Sequence, residues 1–316
     1  MLEFLKIKMA KIKPLPLELQ RIACEQLGEV PQRIPEDLQK LKEWIRMQPH
    51  LKSRTDDQFL VQFLRGTKYS LEKAKEKLEQ FYALKSKYAD MLSNVDVEST
   101  LFMDYVQEKL FSPLSIPLHG NGSRIIYVQL PDDPNSFTIN QLLQMATTFC
   151  EILLLNDPYA CINGIILVYD YSKFRADHLS LFTPSAVRNI FLYLEKALPM
   201  RFKGVYAIHI SPYVEKFIKL LLPYVPEKVK DRVHICCNID DIKVTVPKQY
   251  LPRDIGGDNG SLEDVCIANI RLWEEYREYF RDSNDYGINE SLRLIKKPNI
   301  DCDFGTGGSF RTINVD

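Results

Sequence analysis

Four short apolar runs rich in β-branched residues, separated from one another by helical patterns, constrain the fold of this chain most strongly. The runs span residues 124–130, 164–170, 204–210 and 232–237. The three intervals between them carry helical patterns at 138–155, 183–198 and 212–222. The run at 164–170 is apolar almost throughout, which is typical of a strand covered on both faces. Alternating strands and helices predict an α/β domain with a mostly parallel sheet.

The segment before residue 111 shows a helical periodicity instead. Pro35, Glu36 and Asp37 begin one helix, with acidic side chains at its positive end, and Asp56 or Asp57 caps a second. Ser70 marks the start of a third helix after a break at 65–69. We therefore predict four parts: an N-terminal extension (1–34), a helical subdomain (35–110), an α/β domain (111–281) and a C-terminal tail (282–316).

Composition limits the class of protein. Of the 316 residues, 45% are hydrophobic, which is enough for a sizeable core. The formal net charge of −1 argues against a general nucleic-acid binder, although it leaves room for a local basic patch. The seven cysteines are scattered without a CxxC motif, which indicates reduced thiols in the cytosol. The five histidines lack metal-ligand spacing, so we expect no metal site.

Motifs of catalysis and of nucleotide binding are missing from the sequence. It contains no P-loop, no GxGxxG after a strand and no GxSxG elbow. Asp170, at a strand end, is the best single catalytic candidate, but a helix-capping or loop-ordering role is the favoured interpretation. We expect neither an enzyme nor a cofactor.

The N-terminal residues are a poor match to a signal peptide, because they lack an unbroken apolar stretch and a small-residue cleavage site. Residues 1–14 alternate apolar residues with lysines, which suggests a frayed terminus, with a membrane-touching arm as the alternative. The tail after Lys297 is rich in Gly and Asp and is expected to be irregular. No apolar run approaches the length of a membrane span, so we expect a cytoplasmic protein that meets membranes peripherally and reversibly.

Four stretches together resemble the CRAL-TRIO (Sec14-like) family. They are a helix-turn-helix motif at 57–74, the apolar strand at 164–170, the segment from 182–185 through 198–201, and the closing motif at 251–257. They follow the family's order at its intervals, and the chain looks most similar to the tocopherol-transfer and retinaldehyde-binding branch. Two departures are Tyr171-Ser172-Lys173, where the family often has Glu-Gly, and Gln62, where it usually has Arg.

The resemblance implies a function as well as a fold. The fold would be an all-helical N-terminal subdomain followed by an α/β domain whose mostly parallel sheet encloses an apolar lipid cavity under a helical lid. The protein would bind one hydrophobic ligand, such as a tocopherol, retinoid, carotenoid or phospholipid, and transfer it between membranes. The alternative is a lipid-sensing scaffold that recruits a protein partner, which the sequence does not identify.

Pocket residues follow from the resemblance. It points to Ile165, Leu167, Tyr169, Phe182, Ile190, Tyr193, Leu194, Phe202, Val205 and Phe217. Ile165, Leu167 and Tyr169 share one face of a strand by alternation, and Ile190 and Leu194 share one face of a helix at i, i+4. Ordinary core packing is the alternative for each residue. Thr147 and Glu151 share a helix face and would offer a polar anchor, but a solvated face is the favoured interpretation.

The helix at 212–222 is the expected lid. Apolar side chains cover most of its circumference, whereas a surface helix usually shows one apolar stripe. A deeply buried core helix is the alternative. The resemblance favours a mobile lid with one face on the cavity and the other on the bilayer.

A basic patch beside the lid is also implied by the resemblance. It would consist of Arg65, Arg201, Lys228 and Arg232, with Lys68 and Lys203 nearby, and would grip a phosphoinositide headgroup. Each cation near an anionic membrane contributes about 1 kcal/mol. Solvated surface charges are the alternative.

Overall fold

The computed structural model describes residues 11–236 and 239–294, without the side chains of Lys228 and Ile239. The irregular tail predicted after Lys297 lies outside these ranges, as does most of the predicted N-terminal arm. Among the described residues, no helix combines the length and the apolar character that crossing a bilayer requires.

The first part of the described chain is helical apart from one two-residue strand. Its elements are α1 (Leu17–Leu27), α2 (Ile34–Arg46), β1 (Leu51–Lys52), α3 (Asp57–Gly66), α4 (Leu71–Lys87), α5 (Ala89–Leu92) and α6 (Thr100–Gln107). Helix α3 begins where the Asp56 side chain accepts a hydrogen bond from the Phe59 N–H, as a cap should. Edge-to-face contacts among Phe59, Phe63 and Phe81 hold α3 against α4.

The second part alternates strands and helices as the sequence predicts. Its elements are β2 (Phe111–Pro113), β3 (Arg124–Gln129), α7 (Ile139–Asn156), α8 (Pro158–Asn163), β4 (Ile165–Asp170), α9 (Pro184–Leu192), β5 (Phe202–Ile208), α10 (Pro212–Leu221), α11 (Glu227–Lys230), β6 (Val233–Ile235), α12 (Ile239–Lys243), α13 (Leu262–Glu275), α14 (Arg277–Arg281) and β7 (Gly287–Ile288). Strands β2 to β6 form one sheet in sequence order. Strand β2 is antiparallel to β3, and the other pairs are parallel. The predicted mostly parallel α/β fold is confirmed.

Both faces of the sheet are covered. Ile165 and Leu167 on β4 join the large core that includes the N-terminal helices, α7 and α9. Ile166 and Val168 face the opposite way, into a second core with Leu262 of α13. Side chains alternate between the two faces of a strand, so an unbroken apolar run requires cover on both sides.

Two details differ from the predicted elements. The single helix expected over 261–281 breaks at Tyr276 into α13 and α14. Beyond α14 the chain returns to the N-terminal helices, where β7 pairs antiparallel with β1 through Leu51 and Ile288. Strands of two residues carry no periodicity, so the sequence gives no signal for this pair.

A buried carboxylate ties α1 to the end of α3. Glu29 accepts hydrogen bonds from Arg65 Nε at 2.8 Å, from the Tyr69 hydroxyl at 2.7 Å and from the Gln20 amide at 2.8 Å. The Glu29 side chain is fully buried and that of Arg65 nearly so. Burial alone would raise the pKa of Glu29, but the hydrogen bond and charge of Arg65 lower it overall. A buried ion is stable only while its partner is present.

We expect Glu29→Gln to lower the free energy of unfolding by about 3–5 kcal/mol, because it leaves the Arg65 charge buried without a counter-ion. Urea denaturation measures the change. Glu18→Gln is the matched control, since Glu18 forms an exposed pair with Arg21 on α1 and should contribute less than about 1 kcal/mol. Equal effects of the two variants would contradict the assignment.

Candidate functional site

An apolar cavity of about 210 Å³ lies between the sheet, α7, α9 and α10. Nine of the ten residues predicted for a pocket line it: Ile165, Leu167, Tyr169, Phe182, Ile190, Tyr193, Leu194, Phe202 and Val205. Apolar residues of α7 and of the segment after α10 also line the cavity, and they were not among the predicted pocket residues. They are Leu143, Ala146, Cys150, Leu222 and Val225. These residues come from separate elements whose shared orientation only the folded chain shows.

Phe217 differs from the prediction, because it does not line the cavity. Its ring packs instead against Phe174, at 5.4 Å between ring centroids, and against Phe182, at 5.3 Å. Phe182 does line the cavity, so Phe217 packs against a residue of the cavity wall without lining the cavity itself. These aromatic contacts fasten α10 to the segment that follows β4.

Helix α10 covers the cavity with one side and meets solvent with the other. Ile218 and Leu221 line the cavity, whereas Tyr213 is 49% exposed and Leu220 is 69% exposed. The alternative of a deeply buried core helix is therefore wrong. An exposed leucine on a helix that also seals a cavity is the arrangement expected of a lid.

The two α7 residues suggested as a polar anchor are buried and already have partners within the protein. Thr147 and Glu151 are both buried, at 1% and 2% exposure, so the solvated-face interpretation is wrong. The Thr147 hydroxyl donates to the Leu143 carbonyl at 2.6 Å, and Glu151 forms an ion pair with Lys85. Thr147 lines the cavity, but its hydroxyl hydrogen is already used within α7.

The back wall of the cavity contains an irregular helical turn. The helix predicted over 183–198 changes after α9 into a π-helical turn at Tyr193–Ala197, closed by a hydrogen bond from Leu198 N to Tyr193 O at 2.9 Å. Lys77 of α4 braces this turn, because its Nζ donates to the carbonyls of Glu195 and Leu198 at 2.9 and 3.2 Å. Burial lowers the pKa of Lys77 to about 8.

The depressed pKa of Lys77 has a consequence for stability against pH. Between pH 8 and about 10.4 this lysine binds more protons in the unfolded chain than in the folded one, so its contribution to stability rises with pH. We expect the difference in unfolding free energy between the native chain and Lys77→Met to shift in favour of the native chain across this range. Denaturation at several pH values measures it, with exposed Lys73→Met on the same helix as control. A difference that falls with pH would contradict the assignment.

A cluster of four cations lies at the amino-terminal end of β5. It consists of Lys68, Arg201, Lys203 and Arg232, and we call it the basic cluster. Burial lowers the pKa of Lys203, and the charges of Arg201, Arg232 and Lys68 lower it further. In the described part of the chain none of the four forms an ion pair, although Arg232 donates to the Phe202 carbonyl. Neighbouring like charges without acidic partners leave a local positive potential.

The geometry of the bend after α3 explains why Lys68 joins this cluster. Gly66 packs so closely on the Pro199 carbonyl that a Cβ there would collide with it. Lys68 and Tyr69 both adopt the left-handed backbone conformation, with φ of 53° and 57°. The chain thus turns sharply beside the start of β5.

One predicted member of the basic patch does not contribute as expected, and a second stays a prediction. Arg65 is 3% exposed and its charge is neutralised by Glu29, so it belongs to the core and not to the surface. Lys228 stands on α11, and its side chain lies outside the described part of the structure. Arg201 and Arg232 are brought together with Lys68 and Lys203.

Asp170 organises the carboxyl ends of three strands on the other face of the sheet. Its carboxylate accepts hydrogen bonds from the Tyr127 hydroxyl, from His209 Nδ1 at 2.7 Å and from the Ser172 N–H at 2.8 Å. Sequence spacing did not reveal the Tyr127 and His209 partners. The bond to Ser172 agrees with the predicted loop-ordering role, because it fixes the start of the segment that packs on α10.

Comparison with known proteins gives two family models and several relatives. Residues 117–257 match the CRAL/TRIO domain, and residues 30–102 match the Pinta-like UBA domain. Clavesin-2 of Homo sapiens is 24% identical over 290 residues, covering 91% of this chain and 86% of that protein. Clavesin-1 of Rattus norvegicus is 25% identical over 279 residues, covering 88% and 77% respectively. The solved crystal structure of Sfh5 aligns with a TM-score of 0.47 at 13% identity, over 86% of this chain and 100% of that one.

Proposed function

This chain belongs to the CRAL-TRIO family of lipid-binding proteins, and on that premise we propose that it carries one hydrophobic molecule between membranes. The observation that carries the proposal is the apolar cavity closed by α10. Each buried CH₂ gains roughly 0.8 kcal/mol, so a soluble carrier must offer an apolar interior to compete with the bilayer for its cargo. Membership of the tocopherol-transfer and retinaldehyde-binding branch stays a prediction.

We infer that α10 is the lid through which cargo enters. Its inner residues touch the cavity, and its exposed Tyr213 and Leu220 lie at i, i+7 on one side. Opening would separate Phe217 from Phe174 and Phe182. A membrane can replace the apolar contacts that the lid loses, so contact with a bilayer favours the open form.

The basic cluster supports docking on an anionic membrane, with a phosphoinositide as its partner. Lys68, Arg201, Lys203 and Arg232 supply four positive charges without an ion-pair partner in the described chain. At about 1 kcal/mol for each cation, such a cluster selects a membrane and still permits release. We therefore propose a cytoplasmic protein in reversible contact with membranes.

We expect Lys68→Gln with Lys203→Gln to weaken binding to phosphatidylcholine vesicles containing phosphatidylinositol bisphosphate about 30-fold, because two cations are removed. Vesicle sedimentation measures it. Lys40→Gln with Lys243→Gln is the control, since it removes the same charge from lysines paired with Glu36 and Asp240. If both double variants bind alike, net charge and not the cluster controls docking.

A second experiment tests the lid. Leu220→Asp should reduce protein-mediated transfer between vesicles tenfold or more, because a leucine that enters the bilayer contributes about 1.5–3 kcal/mol. Val244→Asp is the control, as Val244 is 86% exposed and lies outside α10.

Fluorescent tocopherol and fluorescent phosphatidylinositol serve as separate cargoes in this transfer assay. A native chain that accelerates neither, yet binds a protein partner only when loaded, would replace the carrier with a lipid-sensing scaffold.

A further inference from the structure

Two segments that hold α10 in place meet at one carboxylate oxygen. Asp170 Oδ1 accepts a hydrogen bond from His209 Nδ1 at 2.7 Å and another from the Ser172 N–H at 2.8 Å. His209 lies two residues before Ser211, whose side chain caps α10, and Ser172 opens the segment that packs on α10. The carboxylate therefore joins the start of the lid to the chain that supports it.

This carboxylate is fixed in place and charged. Asp170 is 5% exposed, and its second oxygen accepts a hydrogen bond from the buried Tyr127 hydroxyl. Burial alone would raise the pKa of Asp170, but the hydrogen bonds from Tyr127, Ser172 and His209 lower it overall. The group is therefore ionised at neutral pH, and a hydrogen bond to an ionised acceptor is stronger than one between neutral groups.

His209 is attached to the rest of the protein mainly through this bond. Its side chain is 35% exposed, in an open polar cleft that shares no lining residue with the apolar cavity. Within the described ranges the imidazole makes no second hydrogen bond, ion pair or ring contact. The backbone of His209 is left-handed, with φ of 55°, which is uncommon for residues other than glycine. Such a conformation persists only where its surroundings hold it.

The segment that begins at Ser172 reaches the body of the lid. The Phe174 ring packs on Phe217 and Tyr213 of α10, at 5.4 and 6.1 Å between ring centroids. Helix α10 is thus attached through its N-terminal end and through this aromatic contact. Asp170 fixes both attachments relative to each other.

We propose that the hydrogen bond between Asp170 and His209 is the latch that holds α10 closed, and that its release lets the start of α10 move away from the segment at 172–174. The inference rests on the proposed lid and names the contact that keeps it shut. Neither residue lines the cavity, so both are positioning residues that act without touching the cargo.

Two substitutions of nearly equal shape test the latch. Asn and Asp both tolerate the left-handed conformation, but the Asn amide can donate a hydrogen bond in place of Nδ1, whereas the Asp carboxylate only accepts and repels Asp170. His209→Asp should therefore open the lid, and His209→Asn should leave it closed. His119→Asp is the matched control, since His119 is also exposed and left-handed, with φ of 55°, but has no ion-pair partner among the described residues.

The thiol of Cys150 reports the opening. Cys150 lines the cavity beneath α10 and is buried in the closed structure, whereas Cys161 is buried outside the cavity. N-ethylmaleimide is added to each variant, and the alkylation rate of each thiol is measured by mass spectrometry of its peptide. His209→Asp should raise the rate at Cys150 about tenfold or more, because a hydrogen bond to a charged group is lost, and should leave the rate at Cys161 unchanged.

Several results would overturn the latch. One is an unchanged rate at Cys150 in His209→Asp, and another is an equal acceleration at Cys150 and Cys161, which indicates general loosening of the fold. Equal acceleration in His209→Asn would show that the hydrogen bond is not what matters. Equal acceleration in His119→Asp would assign the effect to the added negative charge.

The same measurements separate the latch from the carrier function. If the latch fails in any of these ways, the carrier function still stands on the transfer assay. If His209→Asp opens the lid but the native chain transfers neither fluorescent lipid, the latch stands and the carrier function fails.

Discussion

The double-sided apolar strand β4 is the constraint on which the rest of the architecture depends. Ile165 and Leu167 require cover on one face, and Ile166 and Val168 require it on the other. The second face is covered by a core that includes α13. The first face receives α7, α9 and α10, which leave a space between them. The cavity is thus the part of this sheet face that helices cover without filling the space beneath them.

Much of the fold follows from the sequence because its signals are local. The four parallel strands, the Thr138 and Thr183 caps and the Ser211 cap are all encoded within a few residues of where they act. The missed elements depend on distant partners. The π-helical turn is braced by Lys77, more than 100 residues earlier. Strand β7 forms only by pairing with β1.

The candidate site was predicted unevenly, for the same reason. Residues at regular spacing on β4 and α9 reached the cavity because periodicity determines their direction. Charged residues were harder to place, because the sequence shows that a cation is present but does not show which counter-ion it pairs with. Arg65 illustrates this difference: Glu29 removes it from the surface, whereas Arg201 and Arg232 keep their charges available.

The brace from Lys77 has an evolutionary consequence. Because a lysine of α4 holds backbone carbonyls behind the cavity, the N-terminal helices shape the chamber without touching whatever occupies it. Substitutions among those helices can therefore change the backbone of the cavity wall while every wall residue stays the same. Grafting the wall alone onto a paralogue would leave behind part of what determines its shape.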